Sequence, residues 1–146
     1  MANAPGDFSC VIQRFVPYTF RLSPLQNEMV AVLESSLALD REQLRDITMG
    51  DEELMREVLS ALWDDTAAQI VKLDAAVRAG DAEQCMRLAH YSKGACANVG
   101  ANAAAATFLQ IESGARARQL EKCAEPLAAL ASVLQELRGE IRSFGV

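Results

Sequence analysis

Ala89-His90-Tyr91-Ser92-Lys93-Gly94-Ala95-Cys96-Ala97-Asn98-Val99-Gly100-Ala101 is the stretch from which fold and chemistry are both read. At about 100° per residue, Cys85, Leu88, Ala89, Ser92, Ala95, Cys96 and Val99 fall on one helical stripe. Most are apolar or small, the pattern of a buried helix face. His90, the only histidine in the chain, lies about 160° from the middle of that stripe. The imidazole is therefore expected to face water. Lys93 and Gly94 follow one turn later on the same outer face, and Ala97 and Ala101 continue it with small side chains. Glu83, Met86 and Arg87 lie within about 80° of the His90 direction. A face with one exposed methionine, small residues and both signs of charge reads as a transient partner surface, against the plainer reading of a solvated helix face. A mid-helix glycine costs about 1 kcal/mol relative to alanine. Outward-pointing Gly94 finds no use in core packing, whereas close approach by another protein would use it.

Working outward, the neighbouring segments are helical too. Asp51 caps a helix running to about residue 79, with Met55, Leu59, Leu62, Thr66, Ile70, Leu73 and Val77 as its seam and Trp63 beside it. Gly80-Asp81 repeats the stop-and-cap pair Gly50-Asp51, and the His90 helix is predicted over 82–99. Asn102 is the expected cap of a helix reaching about residue 121, and Pro126 opens the last one, with Leu127, Leu130, Leu134, Leu137 and Ile141 as its seam. Upstream, Asp40 caps a short helix to about Met49, and Ser23-Pro24 opens another to about Ser36. Residues 1–22 show no period and read as an irregular N-terminal extension before a helical unit over 23–143. Four long helices with short connections predict an all-α, antiparallel up-down four-helix bundle with short N-terminal capping helices.

The composition agrees. Across 146 residues, hydrophobic residues make up 51% and aromatics 5%, which favours an alanine- and leucine-rich bundle over a sandwich. A net charge of −6 with scattered basic residues argues against a nucleic-acid surface. The four cysteines, Cys10, Cys85, Cys96 and Cys123, form no Cys-x-x-Cys pair. Cys85 and Cys96 are about 16 Å apart along one helix. One histidine and no cysteine cluster make a zinc site unexpected. The expectation is a monomer in a reducing cytoplasm, with no signal peptide and no apolar run of membrane-spanning length.

The stretch resembles the phosphoacceptor motif of histidine-containing phosphotransfer (Hpt) domains, in which a histidine is followed by two residues, Lys-Gly, often Asn, and then Gly-Ala. His90, Lys93, Gly94, Asn98, Gly100 and Ala101 match it. The likeness extends over 38–142, including the entry helix and turn through Gly50-Asp51-Glu52-Glu53-Leu54. One departure is Ser92, where the family usually has leucine; on the core stripe, its hydroxyl is expected to bond back to the Leu88 carbonyl. The resemblance implies that His90 accepts a phosphoryl group from a receiver-domain aspartate and passes it to another receiver. Lys93 would stabilise the phosphoryl group and Gly94 would leave clearance for the partner. Receivers of response regulators or hybrid histidine kinases would be the partners, docking on Glu83, Met86, Arg87, Ala97 and Ala101.

The residues themselves are compatible with that chemistry. An imidazole in water is largely the free base at neutral pH and a competent nucleophile toward phosphorus. No Walker loop or glycine-rich ATP lid is present. Mg²⁺ needs clustered carboxylates, and near His90 the outer face offers only Glu83. The reading is thus a phosphocarrier with no cofactor of its own, Mg²⁺ being expected on the receiver. Two other classes remain compatible with the sequence: a helical adaptor that binds a receiver or other protein without phosphate transfer, and an enzyme using His90 as general base, for which the face makes no convergent pocket.

Overall fold

The computed structural model describes residues 38–145. The expected extension over 1–22, the helix expected up to Ser36 and Cys10 lie outside them. Within the described residues the chain is all-helical: α1 (Arg41–Ile47), α2 (Glu52–Arg78), α3 (Ala82–Val99), α4 (Asn102–Arg116), a 3₁₀ turn (Leu120–Cys123) and α5 (Ala124–Arg142).

Local chemistry sets these boundaries. The side chains of Asp40, Asp51 and Asp81 each accept the backbone N–H of the residue three further on, at 3.0 Å. Each satisfies one of the orphan donors of a helix start. Short links then fold α2, α3 and α4 back on one another, α3 packing most extensively on α4 and next on α2. Leu59, Leu73, Phe108, Ile111, Leu130, Leu134 and Leu137 fill the centre. At the α3–α4 seam, Cys85, Ala89, Cys96, Ala104 and Ala105 are buried, and their small size lets the two backbones approach.

Gly100 holds the entry of the chain to the bundle. Its φ of 92° is left-handed, and a Cβ there would meet the Asp40 carbonyl at 2.9 Å. The Gly100 carbonyl accepts the Asp40 N–H at 2.8 Å. Any side chain would separate the two segments and strain the backbone.

Several boundaries differ from the sequence reading. The cap of α4 is Ala101, without a side-chain bond, and Asn102 is already helical. The left-handed Gly100 turns Ala101 inward, where it is fully buried. Helix α4 stops at Arg116 rather than near residue 121, because Arg118 adopts a positive φ of 57° and the chain doubles back as the 3₁₀ turn. A Cβ on Gly114 would stand 3.0 Å from Cys123 Sγ, so the turn packs tightly over the last part of α4. Pro126 sits third in α5, still in the first turn, where its missing N–H costs no helical bond. In α2 the seam ends on buried Ala76, with Val77 half-buried. Trp63 packs against the core with the Arg138 guanidinium 5.2 Å from its ring centroid.

Candidate functional site

Helix α3 presents His90 outward while Ala89 and Ser92 face in. The His90 side chain is 67% exposed, and its Nδ1 lies 2.9 Å from Glu112 Oε1 on α4. Lys93 Nζ donates to Glu112 Oε2 at 2.6 Å, and Arg116 donates to Oε1 at 2.6 Å. One carboxylate thus joins three side chains on two helices. Its own side chain is only 3% exposed. Burial alone would raise the Glu112 pKa, but the hydrogen bonds and charges of Lys93 and His90 outweigh it, and the net shift is downward. Glu112 is therefore the ionised form at neutral pH.

This fixes the imidazole. An ionised carboxylate only accepts, so the ring nitrogen facing it is the donor. Nδ1 carries a proton, and in the neutral ring Nε2 is then the free lone pair. Among the described residues Nε2 has no hydrogen-bond partner.

Gly94 lies one turn on, and a Cβ built there meets nothing within 4 Å. Glu83 and Arg87 form an exposed ion pair one turn apart. Ala97 is exposed, and its carbonyl accepts from the Gln43 side chain at 2.7 Å. Two residues sit elsewhere than the helical wheel put them. Met86 is half-buried against the core rather than an exposed methionine, because α4 packs beside it. Ala101 is fully buried in the α3–α4 junction and offers no surface. The Ser92 hydroxyl is buried without a hydrogen-bond partner, so the expected bond to Leu88 is not made.

Sequence reading missed three residues. Glu112 gave a signal: a carboxylate between Phe108, Ile111 and Ala115 lies on a core face and must be paired. It also corrects the view that Glu83 is the one carboxylate near His90. Tyr91 and Leu109 are large apolar side chains, 53% and 50% exposed. Among the described residues no group of three or more His, Cys, Asp or Glu is placed to hold a metal ion, and no helix is long and apolar enough to cross a membrane.

The sequence profile of the Hpt domain matches residues 57–140, more than half of the chain and all of the site just described. The chain belongs to the Hpt domain family. The fold agrees: the crystal structure of histidine-containing phosphotransfer protein B from Pseudomonas aeruginosa PAO1 superposes with a TM-score of 0.68 at 24% identity, covering 73% of this chain and 92% of that one. A comparison with curated protein sequences finds no match. As an Hpt protein, the chain is a phosphotransfer intermediate of two-component signalling, a phosphocarrier whose partners are of the receiver kind.

Proposed function

We propose that His90 accepts a phosphoryl group from the aspartyl phosphate of one receiver domain and yields it to the aspartate of another. The observation that carries this is the 2.9 Å contact between Nδ1 and the buried Glu112 carboxylate. It holds the proton on Nδ1 and leaves the Nε2 lone pair on the exposed side of the ring. Nε2 attacks phosphorus in line, the Nε2–P bond forms as the P–O bond to the aspartate breaks, and the aspartate leaves as a carboxylate. Positive charge develops on the ring, and the fixed Glu112 carboxylate stabilises it. In the return step the ring departs as neutral imidazole, with its Nδ1 proton still held.

Lys93 supplies positive charge beside the site, and Gly94 leaves open space for the loops of the receiver. The docking face runs over Glu83, Arg87, Ala97 and the exposed part of Met86, with Tyr91 and Leu109 adding apolar contact. Mg²⁺ for the aspartyl phosphate would be held by the receiver.

The test is incubation with a phosphorylated receiver. The wild type is expected to acquire acid-labile label, and His90→Gln to fold normally and acquire none. Retained acid-labile label in the variant would overturn the assignment. Receiver binding without label in the wild type would point to an adaptor instead.

A further inference from the structure

Resting on that reading, we infer that Arg116 is a second phosphoryl-binding cation, which leaves Glu112 for the phosphoryl oxygens once His90 is phosphorylated. His90 Nδ1 and the Arg116 guanidinium share one acceptor, Glu112 Oε1, at 2.9 and 2.6 Å. The two groups are thus nearer to each other than these two bonds laid end to end. Lys93 is the more obvious cation, but it is largely committed. Its side chain is 28% exposed and binds the other carboxylate oxygen at 2.6 Å. Arg116 is 67% exposed. A guanidinium has five N–H donors in a planar fork, and among the described residues only one of its nitrogens is engaged.

Charge supports the exchange. Before phosphorylation, one carboxylate faces two permanent cations, Lys93 and Arg116. The cluster carries one positive charge more than Glu112 can balance. A phosphoryl group on Nε2 brings up to two negative charges within reach of that surplus. There is also room for the side chain to move. The Arg116 side chain is 67% exposed, so the guanidinium can leave Glu112 without displacing core side chains. A planar guanidinium fits two phosphoryl oxygens at once, which a lysine ammonium does not. Held this way, the oxygens keep their charge and the Nε2–P bond is protected between transfers.

The experiment uses the full chain and phosphoramidate as the phosphoryl donor, so that no receiver is needed. Nε2 displaces ammonia from phosphorus, the P–N bond of the donor breaking as the Nε2–P bond forms. After removal of the donor, the lifetime of phospho-His90 is followed by ³¹P NMR in the wild type, Arg116→Ala, Arg116→Lys and Arg118→Ala. Arg116→Ala is expected to shorten the lifetime about tenfold, the ordinary effect of one charge-assisted hydrogen bond. Arg116→Lys should restore part of it, and Arg118→Ala should match the wild type. The Arg116 Nε–H resonance should shift on phosphorylation of the wild type. An unchanged lifetime in Arg116→Ala, with that resonance unmoved, would overturn the inference alone. A change confined to the ring nitrogens of unphosphorylated His90 would make Arg116 a brace for Glu112 and would also overturn it. No phospho-His90 in the wild type would remove the underlying reading as well.

Discussion

Replacing Glu112 by glutamine tests the site at its centre. The side chain keeps its shape, loses its charge and gains two N–H donors where three donors now converge. An amide oxygen can serve only some of His90, Lys93 and Arg116, and the new NH₂ faces a cation. Breaking a fully buried ion pair costs about 3–5 kcal/mol. Here the carboxylate is 3% exposed but its partners are 67%, 28% and 67% exposed, so water can rescue them. The expected loss of stability is about 1–2 kcal/mol, which lowers the melting temperature of a domain of this size by about 3–8 °C.

The effect on transfer should be larger than the effect on folding. Glutamine no longer favours the proton on Nδ1, nor does it stabilise the charge that grows on the ring. In a fully enclosed triad, the corresponding carboxylate-to-amide change costs about 10⁴ in rate. On this exposed ring, a fall of about ten- to a hundredfold is expected. The assay is single-turnover transfer from a phospho-receiver at saturating concentration, with ¹⁵N NMR of the ring reporting the tautomer. An unchanged rate and unchanged ring shifts in Glu112→Gln would refute the reasoning. A lower melting temperature with an unchanged rate would reduce Glu112 to a structural tie. The pH dependence has a definite sign. With its folded pKa lowered, Glu112 adds stability that is complete above the ordinary glutamate value of about 4.3. That contribution is lost as pH falls through the lower folded value. Stability of the wild type should therefore decline faster than that of Glu112→Gln on acidification below about pH 4.

Gly94→Ala should raise stability by up to about 1 kcal/mol, since nothing lies within 4 Å of the added methyl; chemical denaturation measures it. Gly94→Leu should keep the fold and weaken receiver affinity by titration calorimetry, and unchanged affinity would mean that no partner approaches this face. Ser92→Ala removes a buried hydroxyl that has no partner and should stabilise by about 1 kcal/mol, a gain that denaturant unfolding would register and whose reversal would mean the hydroxyl is satisfied after all.

The bundle was legible because its helices carry their own punctuation. Asp40, Asp51 and Asp81 are capping side chains that act within three residues, so sequence spacing is enough to find them. The seams of α2 and α5 follow one helical period and need no knowledge of neighbours. What failed was whatever depends on a second helix. The wheel of α3 alone gives the direction of His90 correctly, but it cannot tell that α4 covers part of Met86 or that Ala101 turns inward after a left-handed glycine. The end of α4 was missed for the same reason, since the break at Arg116 serves the 3₁₀ turn that packs across Gly114.

Glu112 marks the limit most clearly. On its own helix it reads as a charged residue misplaced among Phe108, Ile111 and Ala115. Its meaning lies 22 residues away in sequence, where His90 and Lys93 occupy successive turns of the facing helix. A carboxylate there would be a liability in a plain core, because its burial costs more than one exposed ion pair returns. It is sustained by three donors at once. The phosphoacceptor is thus not a property of α3 and its motif alone. The motif supplies the nucleophile, and α4 supplies the charge that orients it. Any substitution that shifts α4 along α3 by a fraction of a turn should uncouple the two without touching a motif residue.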